Sequence, residues 1–139
     1  MAAQIKFPGP TLSSICGMCL FFSRASADSL WVPLNYGFAV ARIDPTTNKI
    51  VATVKFKLPP FDLAIGDDGS VWVAAGADEG CQGAGNIVAR IDPTTNTIAG
   101  TLPIQCAESI AVEDGDVWVG VGDPDVNMPN KVIRIKPAP

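Results

Sequence analysis

The sequence predicts an all-β protein built from repeated units, and three observations lead to that prediction. Residues 40–48 recur without change as 88–96, and a third, partial copy occupies 132–137. A Trp-Val pair precedes each copy, beginning at Trp31, Trp72 and Trp118. The segments between are short, rich in β-branched residues and bounded by Asp, Gly, Pro and Asn, which is typical of strands joined by tight turns. Four such strands in a unit of 44 to 48 residues (Arg42 to Arg90, then Arg90 to Arg134) indicate β-propeller blades.

Two kinds of turn support the strand assignment. The Asp-Pro-Thr-Thr-Asn stretches at 44–48 and 92–96 predict hairpins, because Asp can bond its own turn, Pro fixes φ and Asn tolerates a left-handed backbone. The Asp-Gly pairs that end at Gly69 and Gly115 predict tighter hairpins in which glycine takes a positive φ.

The prediction divides a single domain, residues 1–139, into three four-stranded antiparallel blades. Blade 1 spans about 19–56, with strands near 19–24, 29–34, 38–43 and 49–56. Blade 2 spans about 61–102, with strands at 61–66, 70–75, 86–91 and 97–102. Blade 3 spans about 108–136, with strands at 108–112, 116–121 and 131–136. Segment 3–7 resembles 52–56, so it is predicted to close blade 3 as its fourth strand.

Three blades are too few to close a ring, so the sequence predicts half of a propeller that oligomerisation completes. The leading hypothesis is a homodimer with six blades. A trimer with nine blades and a fragment of a longer propeller are the alternatives. The apolar content of 47% and the mean hydropathy of +0.26 favour assembly, because an unpartnered half-ring would expose two apolar blade faces.

The first 27 residues have a second interpretation. Lys6, the apolar stretch 12–22 and the Ala-Ser-Ala at 25–27 resemble a signal peptide with its cleavage site. Cysteine use likewise favours a secreted or periplasmic location over a cytoplasmic one. No apolar run is long enough to span a membrane, so no membrane partner is expected.

Composition excludes several function classes. The net charge is −4 and no basic cluster is present, so no nucleic acid partner is expected. The chain has no histidine, which removes the commonest general base, the commonest metal ligand and every nucleophile that histidine activates. No catalytic residue and no cofactor are therefore predicted, and a divalent cation held by carboxylates is the alternative.

The candidate ligand site is one end of the blades, where the loops from second to third strand and from fourth strand to next blade meet. The sequence does not identify the ligand. A sugar or another small molecule is one candidate class, and closing the mouth of the channel is the alternative role of the aromatic residues. The candidate ligand-binding residues are Asn35, Tyr36, Phe38, Asp78, Glu79, Asp123 and Asp125.

All four cysteines, Cys16, Cys19, Cys81 and Cys106, fall in the same loops and are candidates for disulfides. Cys81 with Cys106 is one pairing, but three pairings stay open. Cys16 and Cys19 also have the spacing of a redox or zinc half-site.

The tryptophan and the arginine that recur in every blade have simpler explanations. Each tryptophan is predicted to pack between neighbouring sheets, and each arginine to pair with an acidic turn or to cover a neighbouring sheet. Three equivalent ligand pockets, one at each tryptophan, are the alternative.

Residues 28–136 resemble the repeat of the YVTN and virginiamycin-B-lyase-like β-propeller families, on the strength of the Arg-Ile-Asp-Pro-Thr-Thr-Asn and Val-Trp-Val motifs. The resemblance implies propeller blades. The lyase itself relies on a histidine base beside a metal-assisted carboxylate site, and this chain has no histidine to take that role. The sequence therefore favours a non-enzymatic binding or scaffold module. The alternative is a divergent metal-dependent lyase or lactonase that uses Asp, Glu and Asn.

Overall fold

A computed structural model describes residue 5 and residues 23–76, 85–123 and 128–138. For residues 123 and 128–130 it describes the backbone only. The strands are β1 Arg24–Ala25, β2 Leu30–Leu34, β3 Ala39–Asp44, β4 Lys49–Lys55, β5 Pro60–Ile65, β6 Val71–Ala75, β7 Ile87–Asp92, β8 Thr97–Pro103, β9 Ala107–Glu113, β10 Asp116–Asp123 and β11 Met128–Ile135. One turn of 3-10 helix, Asn35–Gly37, follows β2. These described ranges contain no helix that could cross a membrane.

The strands form three separate antiparallel sheets in which each strand pairs with its neighbours in sequence. Strands β1–β4 form blade 1, β5–β8 form blade 2 and β9–β11 form blade 3. The sheets do not close into a ring. This architecture confirms the predicted all-β fold of propeller-like blades. The strand predicted to complete blade 3, at 3–7, lies outside the described residues apart from Ile5, so its pairing stays a prediction.

The blades stack through alternate side chains of their strands. Because successive residues of a strand point to opposite sides, each blade has two faces. We call the side that carries the tryptophan of the second strand the tryptophan face. The tryptophan face of blade 1 packs against the opposite face of blade 2, with Trp31, Val40, Val54 and Phe56 meeting Leu63, Val71, Val73, Ala75, Ala89 and Ile91. Blade 2 meets blade 3 in the same way, through Ala64, Ala74, Val88 and Ile104 against Ala107, Ile110, Val117, Val119 and Val121.

The two Asp-Pro-Thr-Thr-Asn hairpins have the same local geometry, as their sequences predict. The Oδ1 of Asp44 accepts a hydrogen bond of 2.7 Å from the Thr46 N–H, and Asp92 accepts an equal one from Thr94. These backbone donors hold the pKa of each carboxyl below its ordinary value. The asparagines that end the two turns both have φ of 55°. The two hairpins thus share their turn geometry, although Thr47 bonds Asp44 where Thr95 bonds Thr97.

Candidate functional site

The described segments at the base of the predicted ligand loops lie side by side. The N–H of Gly76, after the second strand of blade 2, donates to the carbonyl of Pro59 at 3.0 Å. In blade 3, Gly122 donates to the carbonyl of Cys106 at 3.3 Å. Each bond joins the end of a second strand, or the residue just after it, to the segment that enters the same blade. The backbone of Asp123, next to Gly122 on β10, is therefore near Cys106.

Asn35 is 5% exposed and occupies the boundary between two blades. Its Nδ2 donates to the carbonyl oxygen of Pro60, the first residue of β5, at 3.4 Å. A buried amide that bonds a neighbouring backbone satisfies its own polar group and joins the two segments. The structure therefore gives Asn35 a positioning role at the root of the loop, below the exposed residues that follow it.

Tyr36 and Phe38 are exposed, at 38% and 45% of their surfaces. Phe38 adopts the left-handed conformation, with φ of 49° and ψ of 48°, which bulky residues seldom take. Two backbone bonds hold it there: its N–H donates to Asn35 O at 3.1 Å, and its carbonyl accepts from Phe56 N–H at 2.8 Å. An exposed ring on a strained backbone adds little to folding, and such strain is a recognised pointer to a ligand contact.

The remaining predicted site residues are described only in part. Asp78, Glu79, Asp125, Cys16, Cys19 and Cys81 lie outside the described residues. Asp123 pairs with Met128 in the β10–β11 ladder, and nothing more is described of its side chain. Cys106 is buried and disulfide-bonded, as predicted for a cysteine of these loops. Among the described residues, no group of three or more Cys, Asp or Glu side chains could hold a metal ion.

At the opposite end of the strands, each blade holds an Asp–Arg–Trp cluster. The strand register places each tryptophan opposite its arginine. The guanidinium carbon lies 5.2 Å from the ring centre in the Arg42–Trp31 pair, 5.7 Å in Arg90–Trp72 and 5.0 Å in Arg134–Trp118. These distances are within the range of cation–π attraction. The prediction that these arginines pair with acidic turns is confirmed by the ion pairs Arg42–Asp28, Arg90–Asp68 and Arg134–Asp116.

Arg42 does more than its two counterparts, because it also binds the next blade. Its Nη1 donates to the carbonyl of Pro93 at 2.7 Å and to Oδ1 of Asn96 at 3.1 Å, both in the hairpin of blade 2. Its Nε donates to the hydroxyl of Ser29 at 2.7 Å. Within the described residues, Arg90 bonds only Asp68, and a cavity of about 390 Å³ that Pro137 helps to line lies beside it.

The three tryptophan faces differ in what covers them. The valine at one repeated position is 0% exposed in blade 1 (Val40), 1% in blade 2 (Val88) and 66% in blade 3 (Val132). Trp31 is fully buried, whereas Trp118 is 37% exposed. The predicted packing role of the tryptophans is thus confirmed where a following blade exists. No described blade packs over the tryptophan face of blade 3.

Comparisons with known proteins support the fold and extend no further. No family model matches the chain, and no curated protein matches it. Among solved structures, it is similar to hydrazine synthase from Kuenenia stuttgartiensis, with a TM-score of 0.63 and 15% identity over 78% of this chain and 36% of that one. It is also similar to a protein of unknown function from Bacteroides caccae, with a TM-score of 0.55 and 20% identity over 78% of this chain and 42% of that one. The chain thus spans less than half the length of either structure.

Proposed function

We propose that this chain is a non-enzymatic binding or scaffold module whose three blades assemble with those of a second copy into a six-bladed ring. The observation that carries the proposal is the uncovered tryptophan face of blade 3. Val132 repeats two valines that are buried between blades, and Trp118 repeats Trp31, which is fully buried, and Trp72, which is half-buried against blade 3. Trp118 and Val132 lie on one face of blade 3, and large apolar side chains left exposed together on one face are typical of a protein interface.

A mass measurement tests this assembly. Light scattering on the eluting peak of a sizing column is expected to give twice the chain mass of 14.5 kDa. The matched variant Val132→Lys places a charge in the centre of the exposed face and is expected to shift the mass toward one chain, because burying an unpaired charge is unfavourable. A wild-type mass of one chain at every accessible concentration would contradict the proposal.

The loop end is the proposed ligand site, with a sugar or another flat small molecule as the ligand class. The support is the exposed pair Tyr36 and Phe38 and the left-handed backbone of Phe38. Aromatic rings present an apolar face on which flat ligands stack.

We expect labelled wild-type protein to bind members of an immobilised glycan library and Phe38→Asn to lose that binding. Asparagine tolerates the left-handed conformation, so the variant should keep the fold, which circular dichroism checks. Retained binding by the variant would remove Phe38 from the site. The absence of any wild-type signal would exclude the tested sugars as ligands.

We also infer that the blades belong to the YVTN-like repeat class. The support is the pair of identical Arg-Ile-Asp-Pro-Thr-Thr-Asn motifs together with the Trp-Val motif before each arginine strand. In this chain the arginine and tryptophan of the two motifs face each other across neighbouring strands, so the motifs form one structural unit.

A further inference from the structure

The Arg42 contact shows how one blade recognises the hairpin of the next. The guanidinium of Arg42 reaches from blade 1 to the hairpin 92–96 and bonds two oxygens there, the Pro93 carbonyl and the Asn96 side chain. The contact half-buries both Pro93 and Asn96. An arginine and a hairpin at these positions therefore form a specific hydrogen-bonded contact beside the apolar contact between blades.

Two further arginines, Arg90 and Arg134, occupy the repeated position of Arg42, and the sequence has one further hairpin of this kind, at 44–48. Arg90 lies beside blade 3 of its own chain, whereas Arg134 lies on the last blade. Arg134 occupies the position of Arg42 on blade 3, and in the described part of the chain it bonds only Asp116 and stacks on Trp118. Its side chain is 48% exposed, against 17% for Arg42. The hairpin 44–48 has the sequence and turn geometry of 92–96, yet Pro45 and Asn48 are exposed where Pro93 and Asn96 are half-buried.

We infer that Arg134 of one copy binds the hairpin 44–48 of a second copy, donating to the Pro45 carbonyl and to Oδ1 of Asn48. This inference rests on the proposed ring, in which blade 3 of each copy meets blade 1 of the other. The arginine and the hairpin of such a contact are both present in this sequence, as Arg134 and 44–48. Within the described single chain, Arg134 bonds no hairpin and the hairpin 44–48 bonds no arginine. Two-fold symmetry then forms the contact twice in each dimer.

Blade 1 would meet the second copy through the face opposite Trp31. The apolar side chains of that face are already partly covered, so the hairpin 44–48 would make the main specific contact. On that face Ala41 and Ile43 are already buried in the single chain, while Leu30, Val32 and Leu34 are half-buried. Only part of this apolar surface remains to be covered. Trp118 and Val132 can cover the half-buried side chains, while Arg134 reaches the hairpin at the rim.

The test is the dimer dissociation constant of Asn48→Gly, measured by sedimentation across a dilution series. Glycine accepts the φ of 55° at this position, so the variant removes the side-chain oxygen without straining the turn. A hydrogen bond to a charged donor is worth about ten-fold or more in affinity, and each dimer contains two. We therefore expect weakening of at least about ten-fold, with no change in the melting temperature of the single chain.

Asn96→Gly is the matched control, because its side-chain oxygen bonds Arg42 inside the chain. It should lower the melting temperature and leave the dimer constant unchanged. Arg134→Lys should weaken the dimer as Asn48→Gly does, and the double variant should be no weaker than either single one if the two groups touch.

The outcomes separate this inference from the proposed function. A wild-type dimer that Asn48→Gly leaves unchanged overturns the Arg134–hairpin contact and leaves the proposed ring standing. A wild-type protein of single-chain mass overturns both. A trimer that Asn48→Gly weakens supports the contact and corrects only the number of copies.

Discussion

Replacing Trp31 by alanine is expected to lower the free energy of unfolding by about 3–5 kcal/mol. Trp31 is fully buried and belongs to the apolar cluster between blades 1 and 2. Its loss removes a large ring and leaves a cavity, because the strands on either side cannot collapse into the gap. Urea denaturation followed by circular dichroism measures the change.

Trp118→Ala is the matched control, since it removes the same side chain from the same position of blade 3. At 37% exposure, Trp118 has no described blade packed over it, so the variant is expected to cost about 1 kcal/mol or somewhat more in the single chain. Both variants should be compared at a concentration where the protein is not assembled. Equal losses for Trp31→Ala and Trp118→Ala would contradict the uncovered face on blade 3.

The repeat made the strands and turns predictable from the sequence. Alternating apolar residues between Asp-Gly and Asp-Pro turns specify antiparallel hairpins through local geometry alone, and the described strands follow that pattern. The pairing of Trp31 with Arg42 follows from the same register. The strands and turns depend on residues close in sequence, which is why the sequence was sufficient to predict them, whereas the contact between tryptophan and arginine was not predicted.

The exposure of a repeated residue was not predictable in this way. Val40, Val88 and Val132 have similar local sequences, but their burial depends on whether another blade packs over them. The repeat also did not indicate which aspartate pairs with each arginine. Asp28, Asp68 and Asp116 precede their tryptophans by three, four and two residues, so no fixed spacing marks them.

At the candidate ligand site, too, the local sequence predicts some features, while others depend on contacts between blades. Tyr36 and Phe38, which were predicted as ligand contacts from their place in a loop, are exposed, and their contact with a ligand stays a prediction. Loop position did not indicate that Asn35, beside them, would be buried against Pro60, because that bond joins two blades. Asn35 as a ligand contact stays a prediction, and its burial depends on how blade 2 approaches the loop, which the local sequence does not specify.

Replacing Arg42 by alanine is expected to lower the free energy of unfolding by about 2–3 kcal/mol, measured by urea denaturation. Arg42 bonds Ser29 within its own blade and Pro93 and Asn96 of blade 2, so its loss removes a link between two sheets. It also leaves the ring of Trp31 without its cation. Arg42→Lys should recover only part of the loss, because an ammonium cannot reach these separate acceptors in the planar arrangement of a guanidinium.

Arg90→Ala provides the comparison that isolates the contact between blades. Arg90 keeps the same cation–π geometry and the same kind of ion pair, but it bonds no hairpin within the described residues. Its partly exposed pair with Asp68 is worth about 1 kcal/mol or less. We therefore expect Arg42→Ala to be the more damaging change by at least about 1 kcal/mol. If the two variants lose equal stability, the hairpin bonds of Arg42 contribute nothing net, and Arg134 would then have no energetic reason to bind the hairpin of a second copy.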